Sequence, residues 1–312
     1  MRTLLIDADS KDGFPNLALM KLSAWLKKDG YTVDLIKGIP SAPPLEYYDE
    51  YYISTIFFQN RESILDYARH LPKMPYIGGS GYSLDNKLPD SIEHIMPDYS
   101  LYGVDFSMGF TSRGCIRKCP WCIVPQKEGG IIDHASITEF HHPDHKKIIL
   151  LDNNYFASPK WEENLRYINK HMLKVNFNQG LDIRTISNRK AVLLSETRAY
   201  DWHFKTRGFH VAFDSMKIEK SFLTGMKRLF DNGIKPSHVM VYVLVGFDTT
   251  LEQDFYRIEK IIELGSKPYV MPYNKAHLRD DKIKHLARWI NRKYYEFIPR
   301  EAYKGGVLEG GL

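Results

Sequence analysis

Apolar residues recur along the chain in short runs, each followed by a longer stretch with helical spacing, and this alternation predicts an α/β fold. Thr3–Asp7 is a short apolar strand. Leu17–Lys28 carries apolar residues at Leu17, Met20, Leu22, Ala24, Trp25 and Leu26 and closes on Asp29-Gly30, which reads as a helix with a stop signal. Further strands are expected at Tyr31–Ile36, Ile53–Phe58 and Met74–Gly79, with Pro40, Pro43 and Pro44 in a connecting loop. The first hundred residues thus read as a parallel, doubly wound sheet. Gly78-Gly79-Ser80-Gly81 ends the fourth strand, where the chain could approach a ligand; phosphate-loop and dinucleotide spacings are absent, so a plain tight loop is favoured.

From about residue 105 a second series begins. Strands are expected at Asp105–Thr111, Lys147–Leu151, Lys174–Asn178, Phe209–Phe213, Val239–Val245 and Tyr269–Met271, with amphipathic helical stretches such as Trp161–His171 and Leu251–Leu264 between them. Six such βα units imply a partial parallel barrel, (βα)6, with its site at the C-terminal strand ends. A last helix is expected over Asp281–Phe297. Its apolar positions Ile283, Leu286, Ala287, Ile290, Tyr294 and Phe297 should pack inward, and Lys284, Arg288 and Arg292 form a separate stripe.

Composition changes this picture only in places. The chain has 312 residues, of which 43% are hydrophobic and 26% charged, as expected of a folded globular protein. No apolar run approaches the ~18 residues needed to span a bilayer, and the N-terminus lacks the apolar core of a secretory signal. The expectation is therefore a cytoplasmic protein with no membrane partner. Net charge is +5, and nine Lys/Arg against four Asp/Glu between Lys275 and Lys304 account for all of it. The basic character belongs to the C-terminal segment.

The three cysteines are Cys115, Cys119 and Cys122, in the run Thr-Ser-Arg-Gly-Cys-Ile-Arg-Lys-Cys-Pro-Trp-Cys-Ile over residues 111–123. An odd number so close together is no disulfide framework and fits a reducing compartment. Three thiolates on one loop can hold three corners of a cubane cluster and leave the fourth iron open to another ligand, whereas electron-transfer clusters normally take four protein thiolates. Structural zinc would need a fourth ligand, for which His134, His141, His142 and His145 are the nearby candidates. An electron-carrying cluster with a non-cysteine fourth ligand, or chance clustering, are the remaining alternatives.

The C-x3-C-x-aromatic-C motif after the first strand of a partial βα barrel resembles the signature of the radical-SAM superfamily, over roughly residues 105–275. The resemblance implies a four-iron four-sulfur (4Fe-4S) cluster on Cys115, Cys119 and Cys122. It also implies S-adenosylmethionine chelated at the open iron and cleaved to a 5′-deoxyadenosyl radical, with Trp121 beside the adenine. The later strand ends supply candidate contacts to S-adenosylmethionine. Asp152, Asn153 and Asn154 stand where the family often has Gly-Gly-Glu, and could hold the methionyl ammonium. Arg184 could pair with the methionyl carboxylate, and Asn178, Gln179 or Asp182 could reach ribose hydroxyls. Asp214 and Ser215 end the fourth strand and Gly246-Phe247-Asp248 the fifth. Val270-Met271-Pro272-Tyr273-Asn274 ends the sixth, and the backbone at Met271 resembles the family's adenine-binding segment.

A Rossmann-like unit before such a barrel is similar to the arrangement in cobalamin-binding members. The Asp-x-His-x-x-Gly pattern is absent and no histidine precedes His70, so a degenerate domain for packing or substrate binding is favoured over a cobalamin site. The expected domains are residues 1–104 (Rossmann-like), 105–275 (barrel) and 276–312 (basic helical extension). The expected function is a single-cluster radical-SAM enzyme served by a flavodoxin- or ferredoxin-like electron donor. Its substrate, a small molecule, a nucleotide or a nucleic acid, is undetermined. The alternatives are a cobalamin-dependent radical-SAM methyltransferase and a non-catalytic redox-sensing iron–sulfur module. For the basic stripe, a solvated helix face is favoured over a phosphate site in which Trp289, Tyr294 and Tyr295 would offer stacking surfaces.

Overall fold

A computed structural model describes residues 1–9, 13–273 and 281–303. It is α/β with parallel sheets, and the chain divides into two units. The first comprises Met1–Phe110 and Ala135–Ile148, the second Thr111–His134 and Ile149–Leu312.

In the first unit, β1 (Arg2–Asp7), β2 (Thr32–Lys37), β3 (Glu50–Ser54) and β4 (Tyr76–Gly78) form a parallel sheet in the order β2-β1-β3-β4. β1 is buried along nearly its whole length because a central parallel strand is covered on both faces. Leu4 and Ile6 join Ile53, Ile64 and Tyr67 on one side, while Leu5 joins Leu19, Leu22 and Leu26 on the other. The latter three lie on the helix Leu17–Lys28, whose first turn is capped by the Asn16 side chain.

The third strand ends at Ser54, short of the expected Phe58. Asp9 is the physical reason: its carboxylate accepts hydrogen bonds from the Thr55 hydroxyl, the Ile56 N–H and the Asn60 amide. That turns the chain out of the sheet and leaves Ile56, Phe57 and Phe58 exposed. Gly79, with φ +91°, and Gly81 then pass so close to this turn that an added Cβ would lie 2.1 Å from the Thr55 carbonyl oxygen and 2.6 Å from the Phe57 carbonyl carbon.

The expected boundary at 104/105 is not where the units divide. β5 (Ser107–Gly109) and residues 135–148 lie in the first unit. Ser107 Oγ is bonded to the His142 N–H and the His145 ring, and the Tyr99 hydroxyl donates to the Phe140 carbonyl.

The second unit opens with a two-strand antiparallel pair, β6 (Ser112–Arg113) and β7 (Ile132–Asp133), that the sequence pattern did not signal. Its remaining strands are the second half of β8 (Lys147–Leu150), from Ile149 on, and β9 (Lys174–Phe177), β10 (Arg198–Ala199), β11 (Phe209–Ala212), β12 (Val239–Val245) and β13 (Lys267–Pro272). β10, β9 and β8 are neighbours in that order, and β11-β12-β13 form a second, parallel sheet. A bridge between Leu181 and Val211 links the end of β9 to β11. Val239, Val241, Val243 and Val245 of β12 are fully buried, and the helix Leu251–Glu263 packs on that strand through Ile258 and Ile261. Met240, Tyr242 and Leu244 on the opposite face are only half-buried.

The last helix runs over Asp281–Asn291, not to Phe297. Lys293 takes a left-handed φ of +59°, which ends the helical path, and Phe297 is 83% exposed instead of packed inward. Trp289 is buried with Ile283, Leu286 and Ile290, so it is no stacking surface. The Asn291 amide donates to the Val270 carbonyl at 2.9 Å and accepts from the Val270 N–H at 2.8 Å, lying along the outer edge of β13. Asn274 lies outside the described residues, as do Lys275 and Lys304. Among the described residues no helix is long and apolar enough to cross a membrane.

Candidate functional site

The three cysteines sit on the loop that β6 and β7 close at its root. Gly114 begins this loop at φ +82°, and a Cβ there would lie 2.0 Å from the Gly130 carbonyl oxygen, so only glycine allows the two arms to meet. Cys115 N–H donates across to Gly129 O at 3.2 Å, and Cys122 N–H closes a turn onto Cys119 O at 3.0 Å. Glu128 takes a two-pronged pair from Arg113, both contacts at 2.9 Å. Burial pushes its carboxyl up, but Arg113 and Lys127 outweigh that and hold it below the usual range.

The end of β8 anchors the loop from beneath. Asp152 is buried and accepts four hydrogen bonds, from the N–H and hydroxyl of both Thr111 and Ser112. Burial drives its carboxyl upward, and those four donors pull the other way. Asp152 was expected to face S-adenosylmethionine; both its oxygens are instead engaged in fixing where the loop begins. Asn153 Oδ1 accepts from the Gly114 N–H at 2.9 Å. Asn154 Nδ2 reaches both Cys115 Sγ and Asp182 Oδ2 at 3.3 Å, while its Oδ1 is buried with no partner among the described residues.

Asp182 is the hub of the polar wall. Its two oxygens receive Arg184 Nε at 2.6 Å and Arg117 Nε at 2.9 Å. Burial would raise its carboxyl, but the two guanidinium groups together hold it below the ordinary range. Arg117 was not singled out from sequence, although it lies between two of the cysteines. Its N–H also donates to Cys115 Sγ at 3.3 Å.

Cys119, Trp121, Asp182, Arg184, Asp214 and Ser215 line one small cleft of about 60 Å³, with Leu181, Ile183, Ala212 and Ile218 as its apolar floor. Burial pushes the Cys119 thiol up, Arg184 pulls it back, and Cys122 and Cys115 add repulsion. Burial likewise pushes Asp214 up to about 6, with only partial relief from the Leu244 N–H that its Oδ1 accepts at 3.2 Å. Ser215 caps the turn Met216–Ile218 through the Lys217 N–H. At the rim the Trp121 ring meets Phe247 at 5.4 Å, and Phe247 meets Tyr273 at 4.7 Å.

The remaining candidates stand apart from this cleft. Asn178 spends its N–H on Leu150 O, Gln179 is an exposed turn residue, and Met271 is exposed on β13. Among the described residues no three His, Cys, Asp or Glu side chains converge as a ready metal-binding group. His141, His142 and His145 belong to the first unit, where His141 Nε2 meets the His145 carbonyl and the His142 ring lies tilted against that of His145, 4.9 Å between centroids.

Beneath the cleft lies a pair the sequence reading also passed over. Arg257 is fully buried and bonds Asp254 at 2.5 Å, the Phe213 carbonyl at 2.5 Å and the Leu244 carbonyl at 2.7 Å. It ties the ends of β11 and β12 together next to Asp214. The available signal was two opposite charges three apart on the apolar face of an otherwise regular amphipathic helix.

No protein-family model matches the chain, and no curated protein matches it.

Proposed function

We propose that the chain is a radical-SAM enzyme whose second unit is a partial βα barrel carrying one cluster, and whose first unit is a Rossmann-like domain without a cobalamin site. The observation that carries this reading is the meeting, in one cleft, of Cys119 from a three-cysteine loop with the Asp182–Arg184 pair and Trp121.

The donor set suits the group: three thiols and no fourth, with a buried Asn154 Oδ1 that still lacks a donor. Cys115, Cys119 and Cys122 would ligate three irons of a 4Fe-4S cluster. When bound, such a cluster would supply the single electron for reductive cleavage of S-adenosylmethionine at its C5′–S bond to methionine and a 5′-deoxyadenosyl radical. Asn154 Oδ1 would accept from the methionyl ammonium. Arg184, held in place by Asp182, would pair with the methionyl carboxylate. Asp214 and Ser215 would take ribose hydroxyls, and Trp121 with Phe247 would lie against the adenine. The apolar floor keeps water from the reactive carbon. The electron donor would be a flavodoxin- or ferredoxin-like protein.

Anaerobic reconstitution followed by S-adenosylmethionine and dithionite should yield 5′-deoxyadenosine. Cys119→Ala should abolish both the cluster absorbance and this product. A protein that holds a full four-iron cluster yet forms no 5′-deoxyadenosine, with or without nucleic acid present, would refute the reading and leave a redox-sensing module.

A further inference from the structure

The helix Asp281–Asn291 has two faces with opposite demands. Ile283, Leu286, Trp289 and Ile290 are buried. Lys284, Arg288 and Arg292 are exposed and follow one another four residues apart, about 6 Å of rise per step. Like charges at this spacing repel and weaken the helix that carries them. Among the described residues none of the three makes an ion pair, whereas Lys227 and Arg166, four residues from an acid on their own helices, each do.

The stripe borders a shallow, open hollow lined by Ala287, Arg288, Asn291, Arg292 and Tyr294. Asn291 is committed to the edge of β13, so it fixes the wall and leaves the two guanidinium groups and the half-buried Tyr294 ring as the chemistry on offer. Guanidinium forks bind phosphate in two-pronged fashion, and an aromatic ring beside them stacks a base.

We propose that this face holds the phosphodiester backbone of a single-stranded nucleic acid, and that such a strand is the substrate class of the cleft; the second clause rests on the radical-SAM reading, the first does not. The placement supports both. Asn291 sits at Val270, and the chain continues from there past the end of β13 to Tyr273, whose ring leads through Phe247 to Trp121 in the cysteine loop. That path is about 20 Å of strand and ring contacts, roughly six stacked nucleotides. A strand anchored on the stripe can therefore present one of its nucleotides at the cleft. An acidic protein would also be drawn to cations, but evenly stepped charges beside a stacking ring match a repeating phosphate–base polymer more closely.

The test is fluorescence anisotropy of the full chain with a short labelled single-stranded RNA, and with the matching single-stranded and duplex DNA. Three phosphate contacts predict a log–log salt slope of about −2, so affinity should fall roughly twentyfold between about 50 and 200 mM salt. K284Q/R288Q/R292Q keeps helix-forming side chains and should lose most of that affinity and slope. K28Q/K205Q/K235Q, which removes the same charge elsewhere, should bind like the parent. Three results would overturn the proposal: no binding, equal binding by the stripe variant, or displacement of RNA by polyglutamate as readily as by unlabelled RNA. Since no cluster is needed for this measurement, its failure is distinct from a failure to form 5′-deoxyadenosine.

Discussion

The two units end their parallel strands in opposite ways. In the first, the polar groups beyond β1 and β3 satisfy one another: Asp9 gathers Thr55, Ile56 and Asn60, and Asp7 takes the Tyr102 hydroxyl. Glycines 79 and 81 then close against that turn with no room for a side chain. In the second, Asn154 keeps an oxygen with no partner among the described residues, Asp214 is held with an unusually high proton affinity, and a cleft remains between Asp214 and Cys119. Parallel strands bring chain ends to one side in both units. What separates a site from a scaffold is whether the polar atoms delivered there are already spoken for.

Three changes would break or sharpen that contrast. The largest effect is expected at Arg257. Arg257→Met should strand the Asp254 carboxylate and two strand-end carbonyls in the interior, costing about 4 kcal/mol in urea unfolding. A loss below about 1 kcal/mol would mean the cleft does not depend on this tie.

Next is Asp214. Its carboxyl goes from an ordinary value of 3.8 to about 6 on folding, so between those limits the folded chain holds a proton that the unfolded chain has released. Stability should therefore decline as pH rises from about 4 to about 6 and level off above, by on the order of 3 kcal/mol in total. Asp214→Asn should flatten this slope and leave the variant more stable at neutral pH. Urea midpoints with an unchanged pH slope would show that another group is responsible.

The smallest is Asp9→Ala, which should cost about 1–2 kcal/mol through three lost hydrogen bonds. It should leave the S-adenosylmethionine binding proposed for the second unit unaltered, as read by equilibrium dialysis. A fall in that affinity would show that the first unit's strand ends are not a closed scaffold after all.

These contrasts also explain what the sequence could disclose. Apolar runs located the strands well wherever burial follows composition: Val239–Val245 is observed as expected, and Leu17–Lys28 likewise. The pattern misled where a single polar residue redirected the backbone. Ile56-Phe57-Phe58 looked like the end of a strand, yet Asp9, far away in sequence, pulls that segment into an exposed turn. The helix expected to reach Phe297 stops early because Lys293 leaves the helical region, which side-chain periodicity does not register. At the candidate site, cysteine spacing and polar strand ends pointed to Cys119, Trp121, Asp182, Arg184, Asp214 and Ser215, which share one cleft, and also to Asn178, Gln179 and Met271, which stand apart from it. They did not distinguish Asp152, whose four donors come from its own sheet neighbourhood, from Asp214, which has one. That difference depends on which partners three-dimensional proximity provides. Arg117 and the Arg257–Asp254 pair were missed because charged residues in a loop or helix read as solvated until burial is known.

β13 is the outermost strand of its sheet, and such a strand offers a free row of backbone donors and acceptors to any other chain. By presenting its amide to both backbone groups of Val270, Asn291 imitates one rung of a neighbouring strand and blocks that rung to strangers. A single side chain on the last helix thereby guards the protein against edge-to-edge self-association.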